Sequence, residues 1–206
     1  MRIGIDVQHI GKPDRNDLGA SQPPGYSDPL IHEVDITMRV GANLALLLSH
    51  AGHFPFLTAM GQYSTRAQNF NTLKCDLVLM LHMNALPDTF IENKLISIQD
   101  KASHGIVFYD YRTANTNIER AEKFCSHYNN NNNNNNVIDK FITNKAMEGS
   151  NAMNCMTFHK GFVWLLELGF IDSVRFCDKS KVASVDDIAK DIAEGIFNAL
   201  VKAYES

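Results

Sequence analysis

Hydrophobic and polar positions along this chain repeat with two spacings, one typical of β-strands and the other typical of amphipathic helices. Short apolar runs bounded by turn residues predict strands, and apolar residues three or four positions apart predict helices. The predicted strands cover about Arg2 to Val7, Phe54 to Thr58, Asp76 to Leu81, Gly105 to Tyr111 and Phe162 to Leu168. Because Asp76 to Leu81 is almost continuously apolar, we expect a central strand there, buried on both faces.

Predicted helices separate these strands and close the chain. The first has Asp28 and Pro29 as its N-cap and first-turn proline, and Gly52 ends it. The others cover Tyr63 to Leu73, Ile118 to Tyr128 and Asp186 to Tyr204. Strands and helices thus follow one another in turn, which predicts an α/β fold. The segment from Gly11 to Asp28 exceeds a usual connection in length, so we expect a site loop.

One segment has an unusual composition, because Asn129 to Asn136 is a run of eight asparagines. It holds no apolar side chain to bury and disfavours both a helix and a packed strand, so we expect a loop at 129–136. A low-complexity insertion and stand-in letters for unidentified residues are both open interpretations of the run.

Length and composition limit the class of protein. With 206 residues, 45% of them hydrophobic and 20% charged, the chain fits a single domain, 1–206, with one core. The net charge of -4 lacks the basic excess that nucleic-acid binding requires. No apolar run approaches the roughly 20 residues that span a bilayer, so we expect no membrane partner. The four cysteines are far apart and form no Cys-x-x-Cys pair, which argues against a cysteine metal or redox centre.

Chemically reactive side chains occur at the ends of the predicted elements. His9 follows the first strand, His82 follows the central strand, and Glu33 lies near the start of the first helix. The carboxyl ends of parallel strands meet at one edge of an open α/β sheet, where ligands bind. Two histidines and a glutamate are ligands typical of a catalytic zinc site, which leaves a fourth position for water. The pattern therefore predicts a zinc hydrolase site.

A carboxylate also interrupts the last apolar strand. Glu167 stands between Leu166 and Leu168, where burying an unpaired charge costs several kcal/mol. We expect Glu167 to act as general base and acid. Taken singly, each of these residues also has a structural interpretation, namely a satisfied histidine after a strand, a first-turn acid for Glu33 and an edge-strand charge for Glu167.

The order of five short motifs carries further information. They are Ile5-Asp6-Val7-Gln8-His9 with Asp17-Leu18-Gly19-Ala20, Glu33 on a helix, Arg66 and Asn71 on the next helix, His82-Met83-Asn84-Ala85, and Glu167-Leu168-Gly169-Phe170-Ile171. In these residues and their order, from about Arg2 to Ala199, the chain resembles the zinc-dependent N-acetylmuramoyl-L-alanine amidases of the type-three class.

That resemblance implies a fold, a reaction and a set of roles. The fold is a twisted, mostly parallel central sheet with helices on both faces. The substrate is peptidoglycan, and a zinc-activated water cleaves the amide between N-acetylmuramic acid and the L-alanine of the stem peptide. His9, Glu33 and His82 are then the Zn2+ ligands and Glu167 is the catalytic carboxylate. The chain departs from the family at Ile10, where glycine is usual, which bears on the substrate groove rather than on a ligand.

Two polar residues near these ligands are further candidates. Asp6 and Asn84 could each hydrogen-bond to a metal ligand or to the substrate amide. A structural use is equally open, because Asn84 can cap the turn after its strand and Asp6 can hold the site loop through backbone amides.

The N-terminus of the chain predicts how the enzyme reaches the cell wall. The chain begins directly with a strand and shows no signal peptide, so we expect an enzyme released by lysis, such as a phage or prophage endolysin, or a trimmed exported domain. The alternatives are another zinc carboxypeptidase or deacylase on a related fold, and a catalytically inactive wall-binding domain. The chain has no clear His-x-x-Glu motif, and Glu167 argues against the inactive domain.

Overall fold

The computed structural model describes residues 1–7, 19–20, 31–58, 61–85, 104–110, 112–131, 138–171 and 184–205. In chain order the described elements are β1 (Arg2–Val7), α1 (Glu33–His50), β2 (Phe54–Thr58), α2 (Tyr63–Leu73), β3 (Leu77–Asn84), β4 (His104–Asp110), α3 (Asn115–Asn130), β5 (Lys140–Ala146), α4 (Asn151–Met156), β6 (Phe162–Phe170) and α5 (Val185–Glu205). None of the described helices is both long and apolar enough to cross a membrane.

The described strands form one six-stranded sheet in the order β2-β1-β3-β6-β4-β5. Their pairings are parallel, except that β4 runs antiparallel to β6. The predicted α/β fold with a mostly parallel central sheet is confirmed. The prediction that β3 is central is confirmed too, because it lies between β1 and β6 and its residues from Leu77 to Met83 are buried.

The alternation of side chains along each strand assigns residues to the two faces of the sheet. The odd-numbered residues of β3 from Leu77 to Met83 belong to the larger core, which packs against α1, α3 and α5. The residues Val78 and Met80 belong to the smaller core, to which α2 contributes Phe70 and α4 contributes Met156. Helices therefore cover both faces, and His82 and Glu167 project from the α2 and α4 face.

The ends of several elements agree with the predictions and others differ. β1, β2 and α2 have the predicted bounds. α1 begins at Glu33 rather than after Asp28, which lies outside the described residues. His32 is its N-cap, and the His32 N–H donates to Asp35 Oδ2 at 2.9 Å. β3 continues to Asn84, past the predicted end, because its last residues still pair with β6.

Two described elements have no counterpart among the predictions. β5 is an edge strand in which Phe141 is buried while Ile142 is 43% exposed. Its lysines and weak apolar alternation give it little strand signal, and such charges are typical of edges. α4 has only six residues, too few to establish a helical period.

The expected loop at 129–136 is wrong for its first residues. Asn129 and Asn130 are the last residues of α3, and 132–136 lie outside the described residues. The Asn129 side chain accepts a hydrogen bond from the Phe141 N–H at 2.8 Å and donates one to the Phe141 carbonyl at 3.0 Å. The Asn129 amide therefore hydrogen-bonds to the β5 backbone as a residue of a neighbouring strand would. This tertiary contact outweighs the low helix propensity of asparagine.

Candidate active site

His82 and Glu167 lie side by side at the carboxyl ends of β3 and β6. The two strands are parallel, and His82 is the register partner of Glu167. Because neighbouring residues in register point to the same face, both side chains project toward α2 and α4. The sheet thus brings together two of the four residues that the sequence singles out, although they are far apart along the chain.

Glu33 reaches the same place from the other face, as the first residue of α1. It is 2% exposed, and its Oε1 accepts the Met83 N–H at 2.9 Å and lies 3.2 Å from His82 Nδ1. Its Oε2 accepts the Ala20 N–H at 3.0 Å, while its own N–H donates to the Ala20 carbonyl at 2.6 Å. These hydrogen bonds orient the carboxylate toward His82.

The position before Ala20 requires a glycine, and Gly19 occupies it. Its φ is 74°, in the left-handed region that glycine adopts without strain. A Cβ at this position would also collide with the Glu33 side chain. The Gly19-Ala20 pair therefore allows the backbone to approach the carboxylate closely enough to bond it.

A divalent cation fits the donor atoms that Glu33 and His82 present. Zinc held tetrahedrally at about 2.0 to 2.2 Å from nitrogen and oxygen needs donors about 3.3 Å apart, close to the 3.2 Å seen between Glu33 Oε1 and His82 Nδ1. The third predicted ligand, His9, lies outside the described residues. Within the ranges that the structure describes, no three His, Cys, Asp or Glu side chains are arranged to hold a metal ion.

The charges of these groups are strongly coupled. Burial favours the neutral form of His82, but the neighbouring Cys155, the hydrogen bond to Glu33 and the charges of Glu33 and Glu167 outweigh it and raise the His82 pKa to about 10. Burial, with a smaller effect of Glu33, raises the Glu167 pKa to about 7 against the opposing charge of His82. A cation bound between His82 and Glu33 would replace a proton at His82 Nδ1.

A cavity of about 390 Å³ opens beside these residues. Its walls include His82 and Glu167 together with Tyr63, Cys155 and Leu165. Within the part of the chain that the structure describes, the buried Glu167 Oε2 has no hydrogen-bond partner. The cavity has the size of small-ligand pockets, so substrate or water can reach the carboxylate there.

Tyr63 and Cys155 were not predicted as site residues. Tyr63 is the first residue of α2, and Cys155 lies in the unpredicted helix α4. Arg66 and Asn71 on α2 belong to the motifs that carry the family resemblance, but those motifs assign no role to Tyr63.

Asp6 and Arg66 form a buried ion pair below the cavity. Arg66 Nε donates to Asp6 Oδ1 at 2.6 Å, and the side chains are 4% and 1% exposed. The Tyr63 ring stacks on the Arg66 guanidinium, with 4.9 Å between the guanidinium carbon and the ring centre. Asp6 thus has a side-chain partner sixty positions away along the chain. A hydrogen bond from Asp6 to a metal ligand, to the substrate amide or to the backbone of the site loop stays a prediction.

Asn84 makes a local hydrogen bond at the end of β3. Its Oδ1 accepts the N–H of Ala85 at 2.9 Å, and its predicted roles near the metal ligands or in capping a turn stay predictions.

A larger groove of about 630 Å³ lies at the other end of β3 and β6, where these two strands begin. His159, Lys160, Asp76 and Asp110 line it. His159 stacks on Phe70, with 6.1 Å between ring centres, and does not line the Glu167 cavity. Because this groove lacks the pairing of His82 with Glu167, we place the active site at the smaller cavity.

Comparison with known proteins adds a family to this geometry. A sequence profile of the family N-acetylmuramoyl-L-alanine amidase matches residues 3–202. No curated protein sequence is significantly similar to the chain.

Solved structures resemble the chain in fold. An N-acetylmuramoyl-L-alanine amidase from Clostridium difficile 630 superposes with a TM-score of 0.69 at 17% identity, over 98% of this chain and 97% of that one. The amidase AmiC2 of Nostoc punctiforme gives 0.67 at 16% identity, over 99% and 98% of the two chains. The catalytic domain of CwlV from Bacillus (Paenibacillus) polymyxa gives 0.66 at 12% identity, over 100% and 99%. At such low identities, these matches establish the fold alone.

Proposed function

This chain belongs to the N-acetylmuramoyl-L-alanine amidase family, and from that premise we propose a zinc-dependent mechanism carried by four of its residues. The enzyme is a peptidoglycan hydrolase that cleaves the amide between N-acetylmuramic acid and the L-alanine of the stem peptide. His9, Glu33 and His82 would hold the zinc ion, and Glu167 would move the protons. The observation that carries the proposal is the register of His82 with Glu167 beside the Glu33 carboxylate.

Hydrogen bonds within the protein orient Glu33 beside His82. The N–H groups of Ala20 and Met83 each hold one oxygen of the Glu33 carboxylate. Fixing a ligand through neighbouring hydrogen bonds lowers the entropy lost on metal binding and sets the ligand's direction. When bound, zinc lowers the pKa of a water molecule to about 7 and polarises the amide carbonyl.

Glu167 has the position and the acidity that proton transfer requires. It accepts a proton from the attacking water and gives it to the nitrogen of L-alanine as the C–N bond breaks. The products are the free carboxyl of the lactyl group and the free α-amino group of L-alanine. A carboxyl whose pKa lies near 7 can perform both steps near neutral pH.

Digestion of purified peptidoglycan tests this function. The protein should release N-terminal L-alanine without creating reducing sugar ends, as amine labelling and mass analysis of the digest would show. New reducing ends would identify a glycosidase. Labelled D-amino acids or diaminopimelate would identify a peptidase, and an unchanged wall would contradict the proposed activity.

The route by which the enzyme reaches the wall is a separate part of the proposal. Release by cell lysis, as for a phage endolysin, predicts that the protein stays inside an expressing cell until a membrane-permeabilising protein is present. Export as a trimmed domain predicts wall association in intact cells. Fractionation of cells that express the gene in its native context separates the two.

A further inference from the structure

Tyr63 shares the cavity of His82 and Glu167 without a part in the mechanism above. We propose that Tyr63 is a further catalytic residue, whose hydroxyl donates a hydrogen bond to the oxygen of the scissile amide as negative charge develops on it. This role rests on the proposed function, since it requires hydrolysis of an amide at this cavity.

The ring of Tyr63 is held in a defined orientation. It is the first residue of α2, and its ring stacks on the Arg66 guanidinium at 4.9 Å. Arg66 is in turn fixed by its buried ion pair with Asp6 and donates to the Gly61 carbonyl. A donor whose direction is set by a buried network does not have to reorganise during the reaction, which is the condition for effective stabilisation of an oxyanion.

Cys155 is a weak competitor for the Tyr63 hydroxyl. Both residues line the same cavity, and Cys155 lies beside Tyr63. Sulfur is a weak acceptor, whereas an amide oxygen that gains charge is a strong one. The hydroxyl would therefore favour a substrate oxygen bound beside His82 over the Cys155 sulfur.

Tyr63 acts in this role as a donor that keeps its proton. Burial of its ring and the neighbouring Cys155 raise the Tyr63 pKa above its ordinary value, so the phenol stays protonated. Water adds to the carbonyl carbon, and the C=O electron pair moves to the oxygen that Tyr63 contacts. Glu167 carries the proton from water to nitrogen, the C–N bond breaks, and the oxygen electrons re-form the carbonyl.

The test compares Tyr63→Phe with Tyr204→Phe. Tyr204 lies on α5, on the opposite face of the sheet, and provides the matched loss of a phenolic hydroxyl. On a soluble muramoyl-peptide, Tyr63→Phe should lower kcat on the order of 10²-fold with little change in KM, as for other lost oxyanion donors. Tyr204→Phe should keep the wild-type kcat. Zinc content and the unfolding midpoint of Tyr63→Phe should match those of the wild type.

A binding measurement provides a second readout. A phosphinate analogue, in which a tetrahedral phosphorus with a charged oxygen replaces the amide carbon, should bind Tyr63→Phe more weakly by a similar factor, as calorimetry would show. The muramoyl-peptide itself should bind both proteins equally. This arm needs no turnover.

Several outcomes would overturn the proposal. A kcat within twofold of wild type, a change confined to KM, or unchanged phosphinate affinity would remove the oxyanion role. Lost zinc or a lower unfolding midpoint at unchanged phosphinate affinity would make Tyr63 structural. Failure of the wild-type protein to release N-terminal L-alanine would instead defeat the proposed function, so the two failures are distinguishable.

Discussion

At the residue scale, the same kind of side chain has different uses according to its neighbours. Glu33 lies among backbone N–H groups and beside His82, which suits a charged ligand. Glu167 lies between two leucines of β6 and beside His82, and its buried Oε2 has no hydrogen-bond partner in the described ranges. Burial raises the pKa of Glu167, which suits a group that must take up and release a proton.

Replacing Glu167 by glutamine tests its role in proton transfer. The amide has nearly the same shape but cannot accept the proton, so we expect kcat to fall by about 10² to 10⁴. Zinc content should be unchanged, and the unfolding midpoint should stay level or rise because a buried charge is removed. Glu194→Gln, at a half-exposed position on α5, is the control and should keep full activity. Near wild-type turnover in Glu167→Gln would show that the carboxylate serves packing only.

Replacing His82 by alanine tests the metal site. We expect the wild-type protein to bind about one zinc ion per chain and His82→Ala to lose it, because an imidazole donor beside Glu33 is removed. His50→Ala, at the far end of α1, is the matched control and should retain the metal. Elemental analysis after dialysis measures both. Full zinc occupancy in His82→Ala would make the ligand assignment untenable.

At the scale of elements, an edge strand of the sheet is held by a side chain as well as by its pairing with another strand. The Asn129 amide at the end of α3 makes both of its hydrogen bonds to the backbone of Phe141 in β5. These bonds attach the last strand of the sheet to a helix of the larger core, in which Phe124 and Tyr128 of α3 pack on the Phe141 ring.

Replacing Asn129 by alanine should therefore weaken the fold. Leaving the Phe141 N–H and carbonyl without this partner should lower the free energy of unfolding by about 1 to 3 kcal/mol. Asn130→Ala is the control from the same run, since its side chain is exposed and lies 3.5 Å from Ser126 Oγ. Urea unfolding of both variants measures the difference. Equal stability of the two would mean that the Asn129 bonds contribute nothing.

Local patterns could predict five of the six described strands and the positions of His82 and Glu167 along them, because both signals lie within a few residues. A charge inside an apolar run is visible without any tertiary knowledge. The Asp6–Arg66 pair could not be predicted, since its partners are sixty residues apart and meet only when α2 packs below β1. The place of Cys155 depends likewise on how the short helix α4 packs against the sheet, and no period marks it.

At the scale of the whole molecule, the two ends of β3 and β6 have different electrostatic environments. The active-site end gathers Glu33, His82 and Glu167, and the groove at the other end includes His159. Burial, with the charge of Arg66, lowers the His159 pKa to about 4. In the folded protein, His159 therefore stays neutral between about pH 6.5 and pH 4. In the unfolded chain, it becomes protonated near pH 6.5.

The lowered His159 pKa predicts that the free energy of unfolding decreases as the pH falls. The stability contributed by neutral His159 is fully present above pH 6.5 and is lost as the pH falls toward 4, at up to about 1.4 kcal/mol per pH unit. His159→Phe should preserve the contact with Phe70 and reduce this acid-dependent loss. Urea unfolding at pH 8.0 and pH 5.0 measures it. If wild type and variant lose equal stability between the two values, His159 does not contribute to the acid sensitivity.

The hydrogen bonds between Glu33 and Ala20 limit which changes in length the chain between β1 and α1 can tolerate. They join the candidate metal ligand to backbone thirteen positions earlier, on the segment that leads into α1. A ligand that fixes the Glu33 carboxylate thereby favours the backbone arrangement at Gly19 and Ala20. By thermodynamic reciprocity, any change that favours that arrangement strengthens ligand binding by the same factor. The chain between β1 and α1 can thus gain or lose residues without weakening a ligand bound at Glu33 only while its backbone still returns to this carboxylate.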